Sequence, residues 1–161
     1  SIEDIISYRL KYQKLITRIY FKTILFNKSD RIQIYHYKNK LENNINFAFT
    51  KGNLSPNKST PVRVLSMKIK NKNILDNAKV KRTLKLLSKY KNFLFLIINN
   101  INKTNDSNIN TLRYYGIGAQ IIKDLRVKNM ILISRRKKKI IGLEGFGLKI
   151  LKQIIIKWKK Y

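Results

Sequence analysis

Apolar and polar positions change period several times along the chain, and each change marks an element. Ser1-Ile-Glu-Asp4 has the form of a capping box, in which a serine side chain and an acid three residues on satisfy backbone donors reciprocally. Ile2, Ile5, Ile6, Leu15, Ile16 and Ile19 then fall at spacings that suit an amphipathic helix. Farther on the period drops to two. Ile32 and Ile34 alternate with polar neighbours within Arg31 to Tyr37, and Ile45, Phe47 and Phe49 do the same, so both segments read as strands. The polar run Lys38 to Asn44 between them reads as a hairpin connection. Gly52 to Pro61 is a turn-rich loop, after which Val62-Arg-Val-Leu-Ser66 starts another strand. From Ala78 to Tyr90, Val80, Leu84 and Leu87 share one helical face and lysines occupy the other. Phe93 to Ile98 is unbroken apolar sequence, the pattern of a buried strand.

The stretch from Arg113 to Leu151 is the most varied in composition. Its order is a glycine-containing turn at Gly116-Ile-Gly118, a helix from about Ala119 to Leu125, and a short strand at Met130 to Ile133. A basic turn follows, and then Gly142-Leu-Glu-Gly-Phe-Gly147 opens a last helix. Leu148, Leu151, Ile154 and Ile155 form the core face of that helix, with Lys149, Lys152 and Lys157 outside. Interleaved strands and helices predict an α/β (mixed α+β) fold: a single domain with a mixed β-sheet and flanking helices.

Composition narrows the chemistry. A chain of 161 residues is one domain's worth, large enough to bury a core. Having no cysteine, it has no disulfide, thiolate metal ligand or thiol nucleophile, and His36, its single histidine, cannot build a metal site alone. The longest apolar run, Phe93 to Ile98, is too short to span a membrane. Ser1 begins neither a signal peptide nor a normal translation start, so the chain reads as a soluble domain cut from a longer polypeptide.

The formal charge of +28 suggests anionic partners, nucleic acid among them, and at least non-specific binding of polyanions. Lys, Asn and Ile all have AT-rich codons, so drift in an AT-rich genome accounts for the same composition without any selected partner. No RNA-binding aromatic signature interrupts the basic residues, and they are spread along the whole chain.

Arg113-x-Tyr115-Gly-Ile-Gly-Ala-Gln-Ile, Met130 and Gly142-Leu-Glu-Gly-x-Gly147 together resemble the C-terminal part of GTP cyclohydrolase II. That family is the zinc enzyme that opens the imidazole ring of GTP at the start of riboflavin synthesis. The segment SIEDIISYRLKYQKLI is similar to the junction in bifunctional riboflavin enzymes, where an N-terminal 3,4-dihydroxy-2-butanone 4-phosphate synthase, which uses magnesium, passes into the cyclohydrolase half. The resemblance implies a junction helix over residues 1–22 and a degenerate cyclohydrolase II-like domain over 23–161. It also implies an upstream synthase partner, a homodimer and a cytoplasmic location.

Carried over residue by residue, the resemblance implies a site that has lost its chemistry. Val62, Arg63, Val64 and Ser66 fit the strand that leads into the family's zinc site, with Leu65 where the family has histidine. The family's three zinc cysteines, spaced C-x10-C-x-C, fall on Lys68, Lys79 and Lys81. Thiolates hold Zn²⁺ as soft anionic donors, whereas a lysine ammonium has no lone pair to offer, so no metal cofactor is expected. Asn99-Asn-Ile-Asn-Lys-Thr104 stands where the family has a glycine-rich phosphate loop, and Lys103 retains the charge of the loop arginine. The chain also omits the helix and loop by which the family reaches its catalytic arginine, so GTP binding is doubtful.

Arg113 takes the position of the arginine proposed as the family's nucleophile, and Tyr115 follows it. Thr111 replaces the aspartate that serves the family as proton acceptor. A guanidinium stays charged unless something takes its proton, and a threonine hydroxyl does not. Arg113 therefore reads as a structural or anion-contacting residue. Ser134 and Lys139 fit the threonine and lysine of a family ligand loop, here the basic run Ser134 to Lys139, which either meets a phosphate or is a solvated turn. Arg63, Lys103, Tyr115, Ser134 and Lys139 are the phosphate-binding remnants. The expected function is a catalytically inactive, structural cyclohydrolase II-like half of a riboflavin-biosynthesis protein. The alternatives are a basic nucleic-acid- or ribosome-associated module on the same scaffold, and a residual GTP cyclohydrolase II.

Overall fold

The computed structural model describes residues 1–70, 73–100, 107–137 and 143–157, with positions 3, 6, 107–115 and 144 given by their backbone alone. In chain order the elements are α1 (Ile2–Tyr12), β1 (Ile16–Phe26), β2 (Asp30–Asn39), β3 (Asn44–Lys51) and β4 (Ser59–Met67). Then come α2 (Ala78–Leu87), β5 (Phe93–Asn99), α3 (Ser107–Asp124), β6 (Asn129–Ser134) and β7 (Lys149–Ile155). The seven strands of the described residues form one mixed sheet in the order β1-β2-β3-β5-β4-β6-β7. β1, β2, β3 and β5 are joined by antiparallel ladders, and β5, β4, β6 and β7 by parallel ones. The mixed sheet with flanking helices expected from the alternating pattern is the architecture found.

β5 sits at the centre and explains its own composition. Leu94, Leu96 and Ile98 point into a core shared with α1 and α3, and Phe93, Phe95 and Ile97 into a second core under α2. Both faces are covered, so the strand is apolar throughout. Its neighbours show the half-covered alternative: on β2, Ile32 and Ile34 enter the α2 core and Tyr37 the α3 core.

Three sequence expectations are corrected. The N-terminal helix ends at Tyr12, well short of residue 22, because the β-branched and aromatic run ITRIYFKTILF forms strand β1. The capping box at Ser1 and Asp4 is present, but Ile2 and Ile5 are exposed, while Leu15 and Ile16 are buried where the chain turns into β1. Gln120 holds that turn: its Nε2 donates to the carbonyls of Leu10 and Gln13 at 2.8 and 2.9 Å, and its Oε1 accepts from the Leu15 amide at 2.8 Å.

The second correction concerns Gly116 and Gly118, which lie inside α3, a helix that runs from Ser107 and not from Ala119. A Cβ on Gly116 would fall 2.5 Å from Leu10 Cδ1, so this glycine permits the close packing of α1 on α3 and makes no turn. Third, the last helix is strand β7. Leu148 is buried, but Leu151 and Ile155 are exposed, and the isoleucine-rich segment pairs in parallel with β6, whose outer hydrogen-bonding edge it satisfies. Gly147, at φ +74°, makes the turn that enters it.

Candidate functional site

The connections leaving two adjacent parallel strands set the site. β4 leads to α2 on one face of the sheet, and β5 leads to α3 on the other. Such a reversal opens a crevice at the carboxyl ends of the strands, the usual ligand position in open α/β sheets. A cavity of about 720 Å³ lies there, lined by Ser66, Met67 and Lys68 from the end of β4, by Asn77, Ala78 and Lys79 at the start of α2, and by Asn100 beyond β5.

Asparagines fix the shape of this end. Asn46, buried on β3, accepts from the Asn99 amide at 2.8 Å, and Asn44 donates to the Asn99 carbonyl at 2.8 Å. Asn99 Oδ1 accepts from the Ile69 amide at 3.3 Å, and the Asn100 amide donates to the Met67 carbonyl at 3.0 Å. The ends of β4 and β5 are thus tied to each other and to β3. Asn77 caps α2, its Oδ1 accepting from the amides of Lys79 at 2.9 Å and Val80 at 3.3 Å. Asn77 had a legible signal, an asparagine just before a helical period, yet the sequence reading gave it no place in the site.

Of the residues singled out from sequence, Lys68 and Lys79 meet on this cavity, and both are exposed. Lys81 is exposed farther along α2 and does not line it. Arg63 is buried within β4, where its Nη1 donates to the Ile133 carbonyl at 3.1 Å and bridges β4 to β6. Ser134 is buried at the end of β6, its Oγ donating to the Arg136 carbonyl at 2.7 Å, so its hydroxyl shapes the following turn. Thr111, Arg113 and Tyr115 belong to the backbone of α3, and their side chains lie outside the described residues. Lys103, Lys139 and Gly142 also lie outside them.

The donor set does not fit zinc. Two ammonium groups face the cavity, the chain has no cysteine, and among the described residues no three of His, Cys, Asp and Glu gather in a group able to hold a metal. His36 is elsewhere, on β2, with its ring edge-on to Tyr20 at 5.2 Å and to Phe47 at 4.7 Å. Burial, helped by the charge of Lys22, lowers its pKa and favours the neutral ring.

A second polar cluster went unseen in the sequence. Asp124, at the end of α3, accepts from the Tyr37 hydroxyl at 2.7 Å and from Arg18 Nη2 at 3.0 Å, with Lys14 Nζ 3.6 Å from its other oxygen. Burial raises the Asp124 pKa, but the hydrogen bond from Tyr37 and the charges of Arg18 and Lys14 outweigh it and leave the pKa lowered. Burial, then the Asp124 bond, pushes the Tyr37 hydroxyl well above its ordinary range. Arg18, Tyr37 and Asp124 lie 19 to 106 positions apart, so no local spacing announces them. They pin α3 to β1 and β2, away from the cavity.

The family model for GTP cyclohydrolase II matches residues 79–155. The chain is similar to riboflavin-biosynthesis proteins. It is 29% identical to a 3,4-dihydroxy-2-butanone 4-phosphate synthase of Photobacterium phosphoreum, over 96% of this chain and 47% of that one. It is 32% identical to the synthase of Sulfurospirillum multivorans, over 94% of this chain and 41% of that one. A short segment, 27% of this chain, is 56% identical to the riboflavin biosynthesis protein RibBA of Bacillus subtilis. The fold is shared with the crystal structure of RibBX, a two-domain 3,4-dihydroxy-2-butanone 4-phosphate synthase from A. baumannii. There the TM-score is 0.65 at 20% identity, over 98% of this chain and 45% of that one. The chain thus spans less than half the length of these longer relatives. The family match takes in Lys79, Lys81, Arg113, Tyr115, Ser134 and Lys139, and it begins after Lys68 and Arg63.

Proposed function

We propose that this chain is the cyclohydrolase II-like half of a riboflavin-biosynthesis polypeptide, and that it serves a 3,4-dihydroxy-2-butanone 4-phosphate synthase domain as a structural partner and does not open GTP. One observation carries the loss of cyclohydrolase chemistry: the complete absence of cysteine, with Lys68 and Lys79 on the cavity where thiolates would be needed. Ammonium groups at those positions repel a divalent cation, and no other donor set in the described residues replaces them. The synthase relatives supply the companion activity, since their names describe that reaction and this chain accounts for under half of their length.

Zinc content and GTP turnover test the reading together. Protein purified without chelators and given equimolar zinc is expected to retain none through gel filtration and to leave GTP intact. Stoichiometric retained zinc with GTP ring opening overturns the proposal.

The charge favours no competing reading. Each parallel strand is flanked by cations at its amino end, Lys58 before β4, Lys91 before β5, Lys128 before β6 and Lys149 in β7. Lys68, Arg135 and Lys157 follow β4, β6 and β7 at the opposite end. Cations on both rims of the parallel strands leave neither rim as a distinct basic face, so polyanion binding there is expected to be weak and without a preferred rim.

A further inference from the structure

Large apolar side chains are exposed in an uneven pattern. Of the ten exposed among the described residues, eight belong to α1 and β1, and the other two, Leu151 and Ile155, belong to β7. On α1, Ile2, Ile5, Tyr8 and Tyr12 recur at helical spacing along one outward face, each more than 60% exposed, while Leu10 turns inward against Gly116. β1 is an edge strand of eleven residues that carries exposed Ile19, Tyr20, Phe21 and Leu25. Phe21 stacks on Tyr35 at 5.6 Å, and Tyr35 packs against the core beneath α1 and α3. Phe21 and Leu25, four residues apart on a strand, therefore share the side of the sheet on which α1 lies. In the segment Ile19 to Phe26 only Lys22 is charged, on a protein of formal charge +28.

A long, weakly charged edge strand with unpaired backbone groups is a pairing template, and natural proteins cover or charge such edges. An apolar stripe of this extent likewise marks an interaction surface. Two kinds of occupant fit its shape, and charge separates them. A second copy would bring two chains of formal charge +28 together, which their mutual repulsion opposes. A domain of the same polypeptide is held close by its linker and needs no free association, so a modest attraction suffices. Relatives that match this chain over 94 to 98% of its length are more than twice as long, and one is a two-domain protein. Interfaces between domains of one chain cover about 600–1,500 Å². Buried aromatic side chains cover about 150–250 Å² each, so this surface is of the right order.

We infer that the outward face of α1 and the free edge of β1 dock the second domain of the longer polypeptide, through an apolar patch rimmed by acidic groups that answer Lys11 and Lys14. This inference rests on the two-domain reading above and adds where the domains meet.

The test uses the full polypeptide encoded with this chain. Hydrogen exchange is followed in the wild type, in the triple variant Tyr8→Lys, Phe21→Lys, Leu25→Lys, and in the control Leu151→Lys, Ile155→Lys. The expected result is β1 amides slowed by about tenfold or more in the wild type, independent of protein concentration. That protection is lost in the triple variant, together with an increase in radius of gyration, and kept in the control. Fast β1 exchange in the wild type, or a triple variant as compact as the wild type, overturns the docking surface and leaves the two-domain reading standing. Protection that disappears on dilution also overturns it, because the occupant is then a second copy. A reading frame without a second domain overturns the two-domain reading itself.

Discussion

The two halves of the sheet present opposite surfaces to solvent. The parallel half, β5, β4, β6 and β7, has α2 and α3 over its central strands, and its open end is a cavity faced by lysines. The antiparallel half ends in β1, whose residues are mostly exposed on both faces and largely apolar. The crevice at the carboxyl ends of the parallel strands is faced by Lys68 and Lys79, and the exposed apolar surface lies at the far edge of the sheet. Under the proposed function, the apolar edge is the part of the fold that associates.

The largest effects should come from the covered half. Phe95, fully buried on β5 and stacked on Phe49 at 5.5 Å, should cost about 3–5 kcal/mol when changed to alanine, measured by denaturant unfolding. Phe21→Ala on β1 should stay within about 0.5 kcal/mol in this chain. Equal losses at the two sites would erase the contrast. In the full polypeptide the same Phe21→Ala should become clearly destabilising.

Next in size is the joint between α1 and α3. Gly116→Ala puts a methyl group into Leu10 and should destabilise by about 1–3 kcal/mol, with partial recovery in the double variant with Leu10→Ala. Additive losses would show that the two residues are not in contact. Gln120→Leu, which abandons three backbone groups at the turn into β1, should cost about 2 kcal/mol.

Smaller still is the cap of α2. Asn77→Ala should cost about 1 kcal/mol, visible as a lower melting temperature, and Asn77→Asp should be nearly neutral.

Acid gives a pH-dependent check on the polar cluster. The Asp124 carboxyl is held below its ordinary 3.8, so the stability it adds is fully present above that value and is lost as pH falls through its folded-state pKa. In Asp124→Asn the acid limb of the stability curve should flatten over that window. An unchanged limb would remove Asp124 from the account.

What could be read in the sequence follows from how each element is stabilised. β5 and α2 announced themselves because burial on two faces or one imposes an apolar run or a helical stripe, and both patterns are local. β1 was missed because its residues alternate with nothing: an edge strand exposed on both faces carries no period-two signal. Its β-branched and aromatic content is the signal that separates it from a continuation of α1. β7 was mistaken for a helix because Leu148, Leu151, Ile154 and Ile155 happen to fall at helical spacing, while the pairing with β6 that makes it a strand is long-range. Gly116 was assigned to a turn since glycine marks turns more often than helix contacts, and only the position of Leu10 distinguishes the two. At the site, Lys68 and Lys79 can be placed through the resemblance, whereas the asparagines that shape the end of β4 and β5 come from three separate segments and need the fold.

The central claim is that this fold works by supporting its neighbour. Synthase activity of the full polypeptide, compared with a version lacking residues 1–161, tests it most directly. The account predicts a lower yield of soluble, active synthase from the shortened protein. A synthase equally soluble and equally active without this chain would contradict it.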